Sequence, residues 1–231
     1  MTGTASLFSH FISTRGTFRW LSRLVIVSAA FAWVAVGYDV SAVQLFGRDA
    51  MGLATASDKA AHLLVRNVVL YTQLALLLTT AVAFTTWLYR SRANLRAFGA
   101  RELRFSRNWT VFAFLIPGLN LVRPYQVVRE VWQASDPSTT DPFGWKQVKP
   151  PLLFRTWWVT FVVFVVMKPL AIWMGSSALQ DPLRLQIARG VELLADVMAA
   201  VSVTFVYFII ERITEAQETK WGRLGPPPGT T

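Results

Sequence analysis

Four long apolar stretches divide this chain, and the residues between them are mostly basic. The first covers 24–43 and is interrupted late by Asp39. The second covers 63–89, with Arg66 and Asn67 near its start and no charge from 68 to 87. The third covers 152–174 with Lys168 late, and the fourth covers 190–210 with Glu192 and Asp196 early. A helix rises about 1.5 Å per residue, so roughly 20 residues cross the hydrocarbon of a bilayer. Backbone N–H and C=O groups in lipid find no water, and apolar runs of this length satisfy them as helices. The expected fold is therefore all-α, an integral membrane four-helix bundle.

Between the second and third stretches the pattern changes. Residues 109–122 are apolar but too short to cross, and Pro117-Gly118 breaks them. They read as a cytoplasmic re-entrant or interfacial helix at about 109–117, with Asn108 as its N-cap. Pro124 suits the first turn of a second short helix at about 124–134. There Tyr125, Val128, Val131 and Trp132 fall on one side and Gln126, Arg129, Glu130 and Gln133 on the other, which predicts an amphipathic helix on the membrane surface. Residues 1–23 are expected to form a cytoplasmic segment with an amphipathic stretch at 11–20. Residues 24–220 are expected to form a single four-span domain, and 221–231, which close on GPPPGTT, a disordered tail. The basic lead before residue 24 resembles a signal peptide, but no small-x-small site follows it, so a retained helix is expected.

Composition sharpens this picture. Of the 231 residues 53% are hydrophobic and 16% are charged, against about 25% charged in soluble domains. The net charge is +10, and the basic residues flank apolar spans, so anionic phospholipid headgroups and the bilayer are nearer partners than nucleic acid. Seventeen of the 23 basic residues fall on one side if the N-terminus is inside, with eleven between Arg90 and Arg155. The positive-inside bias then predicts a multi-pass protein of the cell membrane with both termini cytoplasmic. The chain has no cysteine and two distant histidines, His10 and His62. Thiolate chemistry and disulfides are excluded, and no metal or other cofactor is expected.

Two sets of polar residues stand out. Arg92, Asn94 and Arg96 lie just beyond the second span, and Asn120, Arg123, Tyr125, Gln126 and Arg129 follow in the same basic segment. Guanidinium groups suit two-point contact with phosphate or carboxylate, so this set predicts a surface for anionic lipid or a partner protein. Anchoring of the topology alone accounts for the same arginines. The second set is Asp39, Arg66, Lys168, Glu192 and Asp196, all in the outer halves of the spans. Each unpaired charge there costs about 2.5–3.5 kcal/mol, so pairing is expected. Polar residues such as Thr79, Thr80, Thr85, Thr86, Ser202 and Thr204 suit bonds between helices.

The segment WLYRSRANLRAFGA, followed by FSRNW and IPGLNLVRPYQVVREVWQAS, resembles the family labelled domain of unknown function 4328. The matching positions are Trp87 to Arg90, Asn94, Ala97 to Gly99, Pro117, Asn120, Arg123 to Gln126 and Arg129-Glu130. Many members carry proline-glycine where this chain has Arg107-Asn108. The resemblance covers most of the chain from the second span to the fourth. It implies a bacterial polytopic membrane protein and supplies architecture without a reaction.

Three functions follow as expectations. The first is a non-catalytic module whose basic cytoplasmic face docks anionic lipid or a protein. The second is a small ion-coupled transporter using Lys168, Glu192 and Asp196, which requires a wet cavity near Asp196. The third is an enzyme acting on a lipid-linked substrate, for which Glu130, Glu211 and Tyr125 are the available acids and bases.

Overall fold

A computed structural model describes residues 11–177 and 181–224. Among these the chain is all-helical, without strands. The elements are α1 (Arg15–Ala50), α2 (Ala56–Ala97), α3 (Trp109–Leu115), a 3-10 turn at Leu119–Leu121, α4 (Arg123–Ser135), a second 3-10 turn at Gly144–Gln147, α5 (Leu152–Ser177) and α6 (Pro182–Leu224). Four of them, α1, α2, α5 and α6, are long and apolar enough to cross a membrane, and the chain is a multi-pass membrane protein.

The long helices exceed the apolar runs because their ends are set by capping residues. α1 and α2 each end on a glycine with positive φ: Gly52 at 70° and Gly99 at 76°. Leu53 N–H reaches back to Arg48 O at 2.8 Å, and Gly52 N–H to Asp49 O at 2.9 Å. Ala100 N–H and Gly99 N–H bond Leu95 O and Arg96 O in the same way, at 3.2 and 3.0 Å. Both are Schellman endings, which use a left-handed residue to satisfy the last carbonyls. α2 starts on a reciprocal box: Asp58 N–H donates to Thr55 Oγ1 at 3.2 Å and Thr55 N–H to Asp58 Oδ2 at 3.0 Å. α6 starts on Asp181, whose Oδ1 accepts from the N–H groups of Leu183 (3.1 Å) and Arg184 (3.2 Å).

Several expectations need revision. The stretch 11–20 is no separate amphipathic element, because Arg15 opens the helix that continues to Ala50. Phe11 instead stacks on Trp221, ring centroids 4.8 Å apart. Helix α6 reaches Leu224, so residues 221–224 are helical; the rest of the expected tail and His10 lie outside the described residues. Asn108 makes no side-chain cap bond, since its backbone is already helical (φ −68°, ψ −24°) and its carbonyl accepts from Val111 and Phe112. Gly118, at φ 78°, does separate α3 from α4. Glu130 and Gln133 of α4, expected on a solvated face, are buried.

Contacts divide the described residues into two compact units. The first comprises 11–23, 81–155 and 206–224. Its core holds large side chains, among them Trp87, Leu88, Leu95, Phe154, Ile209 and Ile213. The second comprises the described residues of 24–80 and 156–205. Six of its buried positions are alanines, Ala35, Ala42, Ala171, Ala188, Ala195 and Ala200, beside the larger Phe46, Trp157 and Trp158. Small residues let helix backbones approach where lipid provides no hydrophobic drive to associate. Its exposed side chains are apolar, such as Leu64, Val68, Tyr71 and Trp173. Ser28 and Thr80 hydrogen-bond across it at 2.9 Å, whereas Thr79 and Thr204 bond carbonyls of their own helices.

The Schellman ending of α2 makes a specific prediction. A Cβ on Gly99 would meet nothing within 4 Å, so Gly99→Ala carries only the cost of the left-handed backbone, about 1–2 kcal/mol. Gly16→Ala, also unobstructed but without positive φ, should cost nothing. Chemical unfolding of the full chain in detergent micelles measures both.

Candidate functional site

Within the first unit, the basic segment separates into an interior and a surface. Arg92 (4% exposed) lies on α2 beyond its apolar run, and Glu130 (4% exposed) lies on α4. They form an ion pair, Nε to Oε1 at 3.6 Å. Glu130 Oε2 accepts the backbone N–H of Arg104 at 2.7 Å, and its Oε1 accepts that of Phe105 at 3.2 Å. Arg92 Nη2 donates to the carbonyl of Phe105. The pair thus satisfies three backbone groups of a loop that has no regular structure of its own. Burial pushes the Glu130 carboxyl above its ordinary value, while the two N–H donors and Arg92 act against that rise.

Asn94 (1% exposed) uses its amide as a peptide would, accepting from Ile12 N–H at 3.1 Å and donating to Ile12 O at 2.9 Å. The same Nδ2 lies 3.1 Å from Gln217 Oε1. Gln217, fully buried on α6, donates from Nε2 to Ser91 O (2.9 Å) and Ser135 Oγ (3.0 Å). It therefore joins α2, α4 and α6. Trp87 Nε1 donates to Thr214 Oγ1 at 3.1 Å, and Lys220 Nζ donates to Ala134 O at 3.0 Å near the end of α4, where a cation is favoured. Arg92 and Asn94 are accordingly interior groups and present nothing to a partner. Gln217 was missed in the sequence, where a glutamine in a charged helical stretch carries no signal.

The surface is built from arginines on aromatic rings. Arg107 lies 4.6 Å above the ring centroid of Tyr89. Arg123 lies 5.7 Å from the centroids of both Phe105 and Trp109, and Arg104 lies 5.4 Å from Phe105. Arg123 Nη1 also donates to Gln126 Oε1 at 3.1 Å. Arg96 and Arg129 are exposed, Tyr125 and Asn120 are half-buried, and none of Arg96, Arg104, Arg107, Arg123 and Arg129 pairs with an acid among the described residues. Arg104, Arg107, Tyr89, Phe105 and Trp109 lay outside the expected set; the alternation Arg-Phe-Ser-Arg-Asn-Trp at 104–109 was the available signal. Next to them, α3 buries Thr110 and Ala113 and exposes Phe112 (51%) and Leu115 (66%). Ile116, Leu119 and Val122 are exposed as well.

The intramembrane charges meet in the second unit. Lys168 Nζ donates to Asp196 at 2.8 and 3.0 Å and to Glu192 at 3.1 Å. Arg189 pairs with Glu192 and lies 5.4 Å from the ring centroid of Phe46. Because α6 starts at Pro182 rather than near Gly190, Arg189 stands inside the helix, three residues before Glu192. Arg66, expected to serve as a partner, is half-buried and forms no ion pair among the described residues. Asp39 is buried at 5% exposure. Close by in sequence, Tyr38 stacks on His62, ring centroids 5.0 Å apart.

Among the described residues no group of three or more His, Asp or Glu is arranged to hold a metal. A family model described as domain of unknown function, DUF4328, matches residues 50–215. No curated protein and no solved structure matches the chain.

The Arg92–Glu130 pair predicts unequal costs. Glu130→Gln leaves a buried guanidinium without counter-charge, and arginine cannot shed its proton, so the loss should be roughly 3–5 kcal/mol. Arg92→Met should cost less, because Glu130 keeps its two backbone donors and can take up a proton. Unfolding of both variants in detergent micelles tests the order.

Proposed function

The chain belongs to the DUF4328 family, and we propose that it is a non-catalytic membrane module whose basic cytoplasmic face holds anionic lipid headgroups. The observation that carries this reading is the pairing of an exposed apolar ridge, Phe112, Leu115, Ile116, Leu119 and Val122, with acid-free arginines at 104, 107 and 123. On this reading α3 lies at the interface with its ridge among acyl chains. Each square ångström of apolar surface removed from water there contributes about 25 cal/mol. The guanidinium groups then stand at headgroup depth, where each is attracted to an anionic surface by about 1 kcal/mol. Tyr89 and Trp109 are suited to the same depth. Arg96 and Arg129 extend the basic face. Both termini are cytoplasmic in this arrangement, in keeping with the positive-inside bias.

A docked protein would meet the same arginines, yet the aliphatic character of the ridge fits lipid tails better. Ion-coupled transport is less well supported, because Lys168 is bonded directly to Glu192 and Asp196. Enzyme chemistry fares likewise: Glu130 is buried against Arg92, and Glu211 accepts a hydrogen bond from Tyr207 on its own helix.

Two experiments test the proposal. With Arg104, Arg107 and Arg123 all changed to Gln, the enrichment of phosphatidylglycerol over phosphatidylcholine in the purified protein should fall, by roughly fivefold per arginine at about 1 kcal/mol each. Unchanged enrichment sinks the lipid site. The cysteine-free chain also permits single-cysteine labelling. Arg96→Cys should react only with reagent added from the cytoplasmic side and Met51→Cys only from the other side; the reverse pattern overturns the orientation.

A further inference from the structure

We propose that Arg104 and Arg123 form a single two-point site, and that its ligand is a lipid whose headgroup joins two phosphates. The site lies within the headgroup-binding face and depends on that reading. Of the three arginines set on rings there, two share one ring. Arg104 lies 5.4 Å and Arg123 lies 5.7 Å from the centroid of Phe105, whereas Arg107 lies over Tyr89. The two guanidinium groups on Phe105 are therefore no further apart than roughly a Debye length, about 10 Å. Neither forms an ion pair among the described residues. The acids of the same unit that reach this loop are already committed: Glu102 pairs with Lys146, and Glu130 pairs with Arg92.

The spacing of the two charges is set from inside. Phe105 is buried, its N–H is held by Glu130 Oε1 at 3.2 Å and its carbonyl by Arg92. The N–H of Arg104 is held by Glu130 Oε2 at 2.7 Å. Arg123 opens α4 and is braced by Gln126 Oε1 at 3.1 Å and by the ring of Trp109 at 5.7 Å. Interior contacts thus hold two like charges side by side before any ligand arrives, and such preorganisation lowers the cost of binding.

The chemistry of the ligand follows from that arrangement. Adjacent cations repel, and an anion that bridges them relieves the repulsion. Two phosphates on one headgroup do so better than two separate lipids, because the second phosphate arrives tethered to the first. A guanidinium laid against a ring by its face keeps the N–H donors of its edge for phosphate oxygens. The side chain of Arg104 makes no hydrogen bond among the described residues, and Arg123 Nη1 serves Gln126. The exposed Phe112 and Leu115 of α3 offer apolar surface to acyl chains, which a soluble diphosphate lacks.

Native mass spectrometry of the full chain, offered diphosphatidylglycerol and phosphatidylglycerol at equal phosphate, tests the site. The wild type should favour the diphosphatidyl lipid by about fivefold, the factor supplied by one further arginine–phosphate contact. Arg104→Gln and Arg123→Gln should each abolish that preference. Arg107→Gln should lower retention of both lipids and keep their ratio. Equal retention of the two lipids by the wild type, a measurement that needs no variant, overturns the two-point site. So does a preference that survives in Arg104→Gln, or displacement of the lipid by inorganic diphosphate at equal phosphate. A wild type that retains neither anionic lipid above phosphatidylcholine removes the headgroup-binding face itself, and the site with it.

Discussion

A helix in hydrocarbon gains nothing by exchanging lipid for leucine, so helices that meet there are held by close backbone approach and by pairing of polar groups that would otherwise be orphaned. That constraint accounts for the two different cores of this chain. The second unit packs on alanines beside a few aromatic rings, Phe46, Trp157 and Trp158, and ties its helices with Lys168, Arg189, Glu192 and Asp196. The first unit contains tryptophan, phenylalanine, leucine and isoleucine cores of the kind found in water, pinned by Gln217, Asn94 and the Arg92–Glu130 pair. Each buried polar group in these sets holds an element whose own backbone could not fix its place: the loop at 104–105, the segment at residue 12, the end of α4.

The arginines of one basic segment consequently do different work. Arg92 satisfies a loop carbonyl and a buried carboxylate. Arg104, Arg107 and Arg123 lie on aromatic rings and form no ion pair among the described residues. Residue type and spacing do not separate these roles, because arginine at a span end serves for topology, interior pairing or ligand contact alike. Separation comes from whether a carboxylate on another helix reaches the guanidinium, which is a matter of packing. Glu130 does so for Arg92 from a position that the helical wheel of α4 assigns to solvent.

The long helices were legible as runs of apolar residues, and the break before α4 as Pro117-Gly118. Their true ends were legible too, in Thr55-x-x-Asp58, Asp181-Pro182, Gly52 and Gly99, although hydropathy alone cut the helices short. Arg189 illustrates what was hidden. It sits outside the apolar window and reads as a loop residue, yet one turn of helix brings it onto Glu192. The cluster at 104–109 was only half legible, since an alternation of arginine and aromatic residues signals ring contacts without saying which ring each arginine finds.

By itself the sequence determined the number and kind of the spanning elements, because the length of an uncharged run and the absence of water fix a helix with no reference to its neighbours. It likewise determined where the basic charge gathers. Only the tertiary structure decided which charges are neutralised and which arginines stay on the surface. Those outcomes depend on distances of a few ångströms between residues far apart in the chain, and nothing local encodes such distances.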